Sequence, residues 1–388
     1  MFRQKFCGGK TTPNCVAVTS PKHRKSCSSL WERFFLRRIA AVVLALPLLW
    51  LLACAKNDDT TQAASIVFAY AHSADYSTYK LDLIENRGST FSAKLNQITV
   101  NSSGGLRSPT VYGNYLLLVD SSLTGRLLAY DKNSLALAGQ INVGSFPQDM
   151  VVLNGTAYIA NGATGTNLLK RVNVASLPAM TALSDITVGN QPSAVRYYNG
   201  KIYVANQDWL NKTQATVSVV NPTTNTVEAT FNTGPNNMDI AFDGTRVWTY
   251  NADWYDGNYV CQNAASLTYA PVSTHTPANI TPPAPYDTNS NCAKSGLAFN
   301  NNGGFTLLRH SSGHFHLFSI TGTTLNTTPV DSSNRYTFVG NGTSYLYKVH
   351  NGDGSSSNLT VLIEDLAGTQ LASTTLTKDT DMYFFVMQ

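Results

Sequence analysis

Three copies of one short phrase stand at a constant step of 45 residues: Tyr158-Ile-Ala-Asn161, Tyr203-Val-Ala-Asn206 and Trp248-Thr-Tyr-Asn251. Each opens on an aromatic and closes on Asn, so the chain is built from repeats. The runs around them are rich in β-branched and aromatic residues and are broken by Gly, Pro and Asn, which makes the unit a small sheet. A strand-built unit with a period in the 40s points to propeller blades, a fold that limits where a ligand can sit without naming it.

Around the second copy the unit reads Val188-Gly-Asn-Gln-Pro192, then Asn199-Gly200-Lys, the phrase itself, and Thr216-Val-Ser-Val-Val-Asn221-Pro-Thr-Thr-Asn-Thr-Val227. Asn199-Gly200 and Asp243-Gly244 are hairpin turn signals between the first two strands of their units. This pattern resembles the YVTN-type repeat of bacterial surface and periplasmic seven-bladed propellers, strongly over 143–251 and weakly elsewhere. Weaker copies phase onto Val67-Phe-Ala-Tyr70, Leu116-Leu-Leu-Val119, Phe305-Thr-Leu-Leu308 and Tyr345-Leu-Tyr-Lys348, which makes seven units. The expected fold is all-β: a seven-bladed propeller of four-stranded antiparallel blades. Met382-Tyr-Phe-Phe-Val386 has no unit after it, and as a strand added to the first blade it would close the ring and remove the free sheet edges. An eight-bladed ring is the alternative.

The N-terminus reads differently. Arg37-Arg38 precede fifteen uncharged residues, Ile39 to Ala53, ending in Leu51-Leu-Ala-Cys54. That is the layout of a lipoprotein signal, too short for an ordinary span and interrupted by Pro47. The expected organisation is a leader over 1–53, a tether over 54–64 and a propeller over 65–388, with Cys54 lipidated and the protein held at the cell envelope through that lipid. Ala55 in second place implies the outer membrane in lipoproteins of this type. An uncleaved anchor helix is the competing reading. The leader carries nine Lys or Arg and one Glu, so removing it turns a net charge of +4 into −4. With no basic cluster left, nucleic acid is not an expected partner, although some YVTN-type relatives touch DNA.

Beyond the leader and Cys54, only Cys261 and Cys292 remain, and an even pair in an exported domain is most simply a disulfide. They bracket a departure from the period, expected as a looped excursion over about 253–294, rich in Pro, Asn, Thr and Tyr. Two neighbouring units carry Asn206-Gln-Asp208-Trp209-Leu-Asn211 and Asn251-Ala-Asp253-Trp254-Tyr255-Asp256, each just after the phrase. Together with Phe146, Gln148, Gln191 and Asn236 from the inter-blade loops, these residues are candidates for one ligand-binding face, with Trp as an aromatic floor and amides as a rim. The competing reading makes them turn caps and blade-edge covers.

His310, His314 and His316 form the one histidine cluster, read first as a polar hairpin and second as a Zn or Cu site. No phosphate loop, nucleophile elbow or H-E-x-x-H appears, and no cofactor is expected. The leading expectation is a non-catalytic envelope propeller that binds a small molecule, nutrient or glycan. Resemblance to lipid-anchored propellers that capture a corrinoid implies that a bulky nutrient would suit. A protein-binding or adhesion scaffold is the second reading, and a propeller enzyme of lyase or quinoprotein type the third.

Overall fold

The computed structural model describes residues 65–72, 77–86, 91–208, 215–252, 265–286, 296–342, 344–352, 354–355, 358–377 and 382–386. Among them there are twenty-eight strands and no helix, arranged as seven four-stranded antiparallel sheets. Six sheets draw all four strands from one continuous stretch: 106–144, 147–187, 192–232, 237–280, 297–331 and 336–377. We number these the second to the seventh. The first sheet joins three strands from 65–101 to Met382–Val386, which pairs with Ser65–His72. The leading strands of successive sheets lie against one another, and Met382–Val386 lies beside both Leu106–Tyr112 and Tyr336–Asn341. The architecture is a β-propeller of four-stranded blades.

The repeated phrase sits on the second strand of its sheet in all seven phased copies, from Ser65–His72 through Thr156–Asn161, Lys201–Asn206 and Arg246–Asn251 to Tyr345–His350. Its aromatic residue is what glues one blade to the next. Tyr158 packs with Val195 and Val204 of the following sheet, Tyr203 with Ile240 and Val247, and Trp248 with Phe299 and Phe318. A sheet has two faces to cover, and stacking blades covers them with large rings that each remove much apolar surface from water. The closing Asn is buried; Asn206 and Asn251 tie the second strand to the third, while the Asn161 amide donates to Val143 O of the preceding sheet at 3.4 Å. The Asn206 amide donates to Thr216 Oγ1 and Ser218 Oγ, both at 3.0 Å, and the Asn251 amide to Ser266 Oγ at 3.2 Å and Thr268 Oγ1 at 2.9 Å. Asn199 (φ 47°) and Gly200 (φ 80°) form the expected tight hairpin turn.

The expected excursion over 253–294 needs correction. Ser266–Pro271 and Ala278–Ile280 lie inside that range and are the third and fourth strands of the fifth sheet. The fifth sheet takes these two strands from the stretch, so only part of it can be insertion. The proline-rich composition hid these two strands: Pro271 ends the first, and the second is only three residues long.

Candidate functional site

The loops that enter the third, fourth and fifth sheets are built alike. Phe146, Gln191 and Asn236, at successive 45-residue steps, all hold left-handed backbone at φ 51°, 52° and 53°. In each case the carbonyl accepts the N–H of the residue that follows the phrase: Gly162 at 3.1 Å, Gln207 at 3.0 Å and Ala252 at 3.0 Å. The inter-blade loops and the loops after the phrase therefore meet at one end of the propeller, as the sequence led us to expect. Gln191 and Asn236, however, are buried, so they build the loops and do not rim the surface. A short Asn side chain suits a left-handed residue. A phenylalanine does not, and Phe146 is 40% exposed.

Phe146 has a neighbour that sequence reasoning missed. Its N–H donates to Ser122 O at 2.9 Å, which sets it beside Leu123, itself 63% exposed. The Gln148 amide donates to Phe146 O at 2.9 Å and to Ser121 Oγ at 3.2 Å, locking the two loops together. Gly125 is needed here because a side chain would run into Pro147 at 2.2 Å. The 121–124 loop also borders a cavity of about 290 Å³ lined by Asn101, Ser102, Ser103, Asp120, Thr124 and Arg126. Asp120 is held by Ser102 Oγ at 2.5 Å and Arg126 Nε at 2.8 Å. This end of the second and third sheets thus offers an apolar step beside a hydroxyl-rich hollow. One blade further, the Asn190 amide donates to Asp208 Oδ1 at 3.2 Å, which places the expected carboxylate at the same end.

Behind these loops the leading strands carry a run of charge that sequence reasoning also missed. Asp149 accepts the N–H of Val195 from the next sheet at 2.9 Å, pairs with Arg196, and receives the Ser108 hydroxyl from the sheet before. Arg196 Nη2 lies 3.3 Å from Asp239 Oδ1, and Asp239 Oδ2 accepts the Leu297 N–H of the sixth sheet at 3.3 Å. Five consecutive sheets are linked in this way. Burial, reinforced by Asp149 and opposed by Arg196, pushes the Asp239 carboxyl up to about 6. Against the desolvation of its own side chain, Asp149 and Asp239 hold the Arg196 guanidinium above its usual value. The available signal was that Asp149 and Asp239 stand two repeat steps apart.

The histidines make a packed hairpin. His310 and His316 stack with centroids 5.5 Å apart, and Tyr286 Oη lies 2.8 Å from His316 Nδ1. His310 Nδ1 accepts the Ser312 N–H at 3.1 Å, which engages one of its two possible ligand atoms. The strand begins at Phe315, so His316 lies in it and His314 stands just before it. Among the described residues no group of three or more His, Cys, Asp or Glu is placed to hold a metal ion.

No family model matches the chain, and no curated protein matches it. Solved structures do. A chain of the Kuenenia stuttgartiensis hydrazine synthase is 11% identical with a TM-score of 0.53, covering 79% of this chain and 94% of its own. A Bacteroides fragilis chain assigned as a 6-phosphogluconolactonase is 14% identical with a TM-score of 0.53, covering 84% of this chain and 99% of its own. At such identities the likeness is one of fold, and it supports the propeller.

Cys54, Trp209, Asp253, Trp254, Tyr255, Cys261 and Cys292 lie outside the described residues, so the lipid site, the disulfide and the aromatic floor keep the standing of sequence expectations.

Proposed function

We propose that this chain is a lipid-anchored envelope propeller of the YVTN type, seven-bladed and closed by Met382–Val386, that binds a small molecule, nutrient or glycan without chemistry. The ligand would sit at the end of the ring carrying Leu123, Phe146, Gln148 and Asp208, with Trp209, Asp253, Trp254 and Tyr255 on the adjoining loops. The ring reading is supported by the placement of Met382–Val386 between the leading strands of the second and seventh sheets. Lipid attachment at Cys54 and an outer-membrane location rest on the leader sequence alone.

One observation carries the ligand reading: at three equivalent loop positions, the one that departs from an amide holds a ring in unfavourable backbone and presents it to solvent. Strain kept where a common residue would remove it marks a site under functional demand. A non-catalytic role is favoured because the carboxylates around this end are engaged: Asp120 by Ser102 and Arg126, Asp208 by Asn190, and Asp149 and Asp239 in linking blades. An adhesion scaffold is the second reading, since an exposed Leu–Phe pair also suits a protein surface.

Phe146→Asn separates function from fold. The variant is expected to be as stable as the parent or more stable by about 1 kcal/mol, because the left-handed strain is relieved. It should lose the thermal shift that a panel of oligosaccharides and cofactor-sized nutrients produces in the parent. A panel compound that stabilises both proteins equally would remove Phe146 from the site.

A further inference from the structure

The hairpin between the second and third strands of the sixth sheet and the loop that enters the seventh gather cationic and imidazole groups. Asn351 N donates to Arg335 O at 3.1 Å, the same kind of bond that Phe146, Gln191 and Asn236 accept in their loops, so Arg335 stands at the same end of the ring. Arg309 closes the second strand of the sixth sheet, and its Nε donates to Gly313 O at 3.1 Å across the hairpin. The same hairpin carries His310, His314 and His316.

The cluster is poor in carboxylate. Arg126, Arg196 and Arg246 each hold an Asp, whereas Arg309 and Arg335 make no salt bridge among the described residues. Asp331 is the described carboxylate that acts on His316, and it is already engaged by Ser333 N at 2.8 Å, Ser333 Oγ at 2.6 Å and the Asn334 amide. Asp353, two residues after Asn351, lies outside the described residues. Donors, by contrast, are present on the rings. His310 Nδ1 accepts the Ser312 N–H, so the neutral ring carries its proton on Nε2. His310 and His316 stack with 13° between their planes, and Tyr286 packs against both at 5.1 and 5.6 Å, which fixes the pair. Burial, then Arg335, Arg309 and His310, holds His314 below the ordinary imidazole value. Burial, then His310, His314 and Arg335, does the same for His316 against the opposing pull of Asp331.

We propose that this cluster binds a tetrahedral oxyanion, the sulfate or phosphate ester group of a ligand, held by Arg309, Arg335 and the histidine hairpin. Such a group offers three strong acceptor oxygens pointing in different directions, which suits guanidinium and ring N–H donors supplied by two loops. A carboxylate is planar and is met by a single guanidinium fork. An arriving anion also relieves the repulsion that depresses His314 and His316, so protons are taken up as it binds. The site does not rest on the Phe146 reading.

The test is calorimetric titration of the purified full-length protein with sodium sulfate, phenyl sulfate and phenyl phosphate in a sodium chloride background, with the histidine ring signals followed by NMR. Sulfate should bind saturably and shift the His314 and His316 signals. It should bind about fivefold more tightly at pH 5.5 than at pH 7.5, because its own charge is constant over that range while the rings gain protons. At least one ester should bind as tightly as free sulfate, and which one does so names the source of the group. Arg335→Gln keeps the backbone bond to Asn351 and brings the side chain found at Gln191, so the fold should hold while sulfate affinity falls about tenfold. Phe146→Asn should leave sulfate binding intact. No saturable binding, failure of both esters, equal affinity at the two pH values, or unchanged affinity in Arg335→Gln would overturn the proposal. Loss of binding in Phe146→Asn would place the anion elsewhere, and binding that appears only in Asp353→Asn would show Arg335 already neutralised; either result sinks it too.

Discussion

Replacing Arg196 with Met is expected to lower the unfolding free energy by about 2–3 kcal/mol at pH 8, since it leaves the Asp149 and Asp239 carboxylates close together without their shared counter-ion. The figure lies between a fully buried pair and a surface pair because the Arg196 side chain is 29% exposed. The effect should depend on pH in a defined direction. The Asp239 carboxyl is raised from 3.8 to about 6 in the folded protein, so its contribution is complete below about pH 4 and is lost as pH rises through 6. Removing the guanidinium raises that carboxyl further, which widens the gap between variant and parent above pH 6 and narrows it at pH 5. Urea unfolding at pH 5 and pH 8 measures both gaps. Adding Asp239→Asn to the variant should recover part of the loss at pH 8. A gap under about 0.5 kcal/mol, or one that does not change with pH, would show that these groups are solvated and do not link the blades.

The second large effect concerns the chain end. Deleting 382–388 should cost several kcal/mol and turn a single cooperative transition into aggregation at lower temperature. The strand Ser65–His72 pairs with Met382–Val386 along Ile66 to Tyr70, and losing that ladder opens a bare sheet edge. Three strands and an open edge cannot replace a closed blade. Differential scanning calorimetry with light scattering reads the outcome, and an unchanged transition would mean that this strand does not hold the ring shut.

Much of this fold was legible because the repeat writes the same instruction several times. The aromatic of each of the three phrases packs on the following blade and its closing Asn is buried, so their spacing revealed strand order without any contact being known. The charge run was hidden for the opposite reason. Asp149, Arg196 and Asp239 act across blades, and Arg196 stands two residues beyond the repeat step from Asp149, where Ala194 takes the equivalent place. The binding face was half legible. Loop position followed from the step, but the burial of Gln191 and Asn236 depends on left-handed backbone that sequence does not display, and Leu123 becomes notable only once Phe146 is seen beside it. The strands Ser266–Pro271 and Ala278–Ile280 were obscured by a composition that suits loops equally well.

The central claim is that the end of the ring bearing Phe146 receives a small ligand. It is tested most directly by placing the photo-crosslinking residue p-benzoylphenylalanine at position 146 in cells that express the protein, with the same residue at Tyr197, 43% exposed, as the comparison site. After illumination, intact-mass analysis should find a small-molecule or oligosaccharide adduct at 146 and none at 197. No adduct at 146, equal labelling at both sites, or an adduct the size of a protein would contradict it, the last in favour of the scaffold.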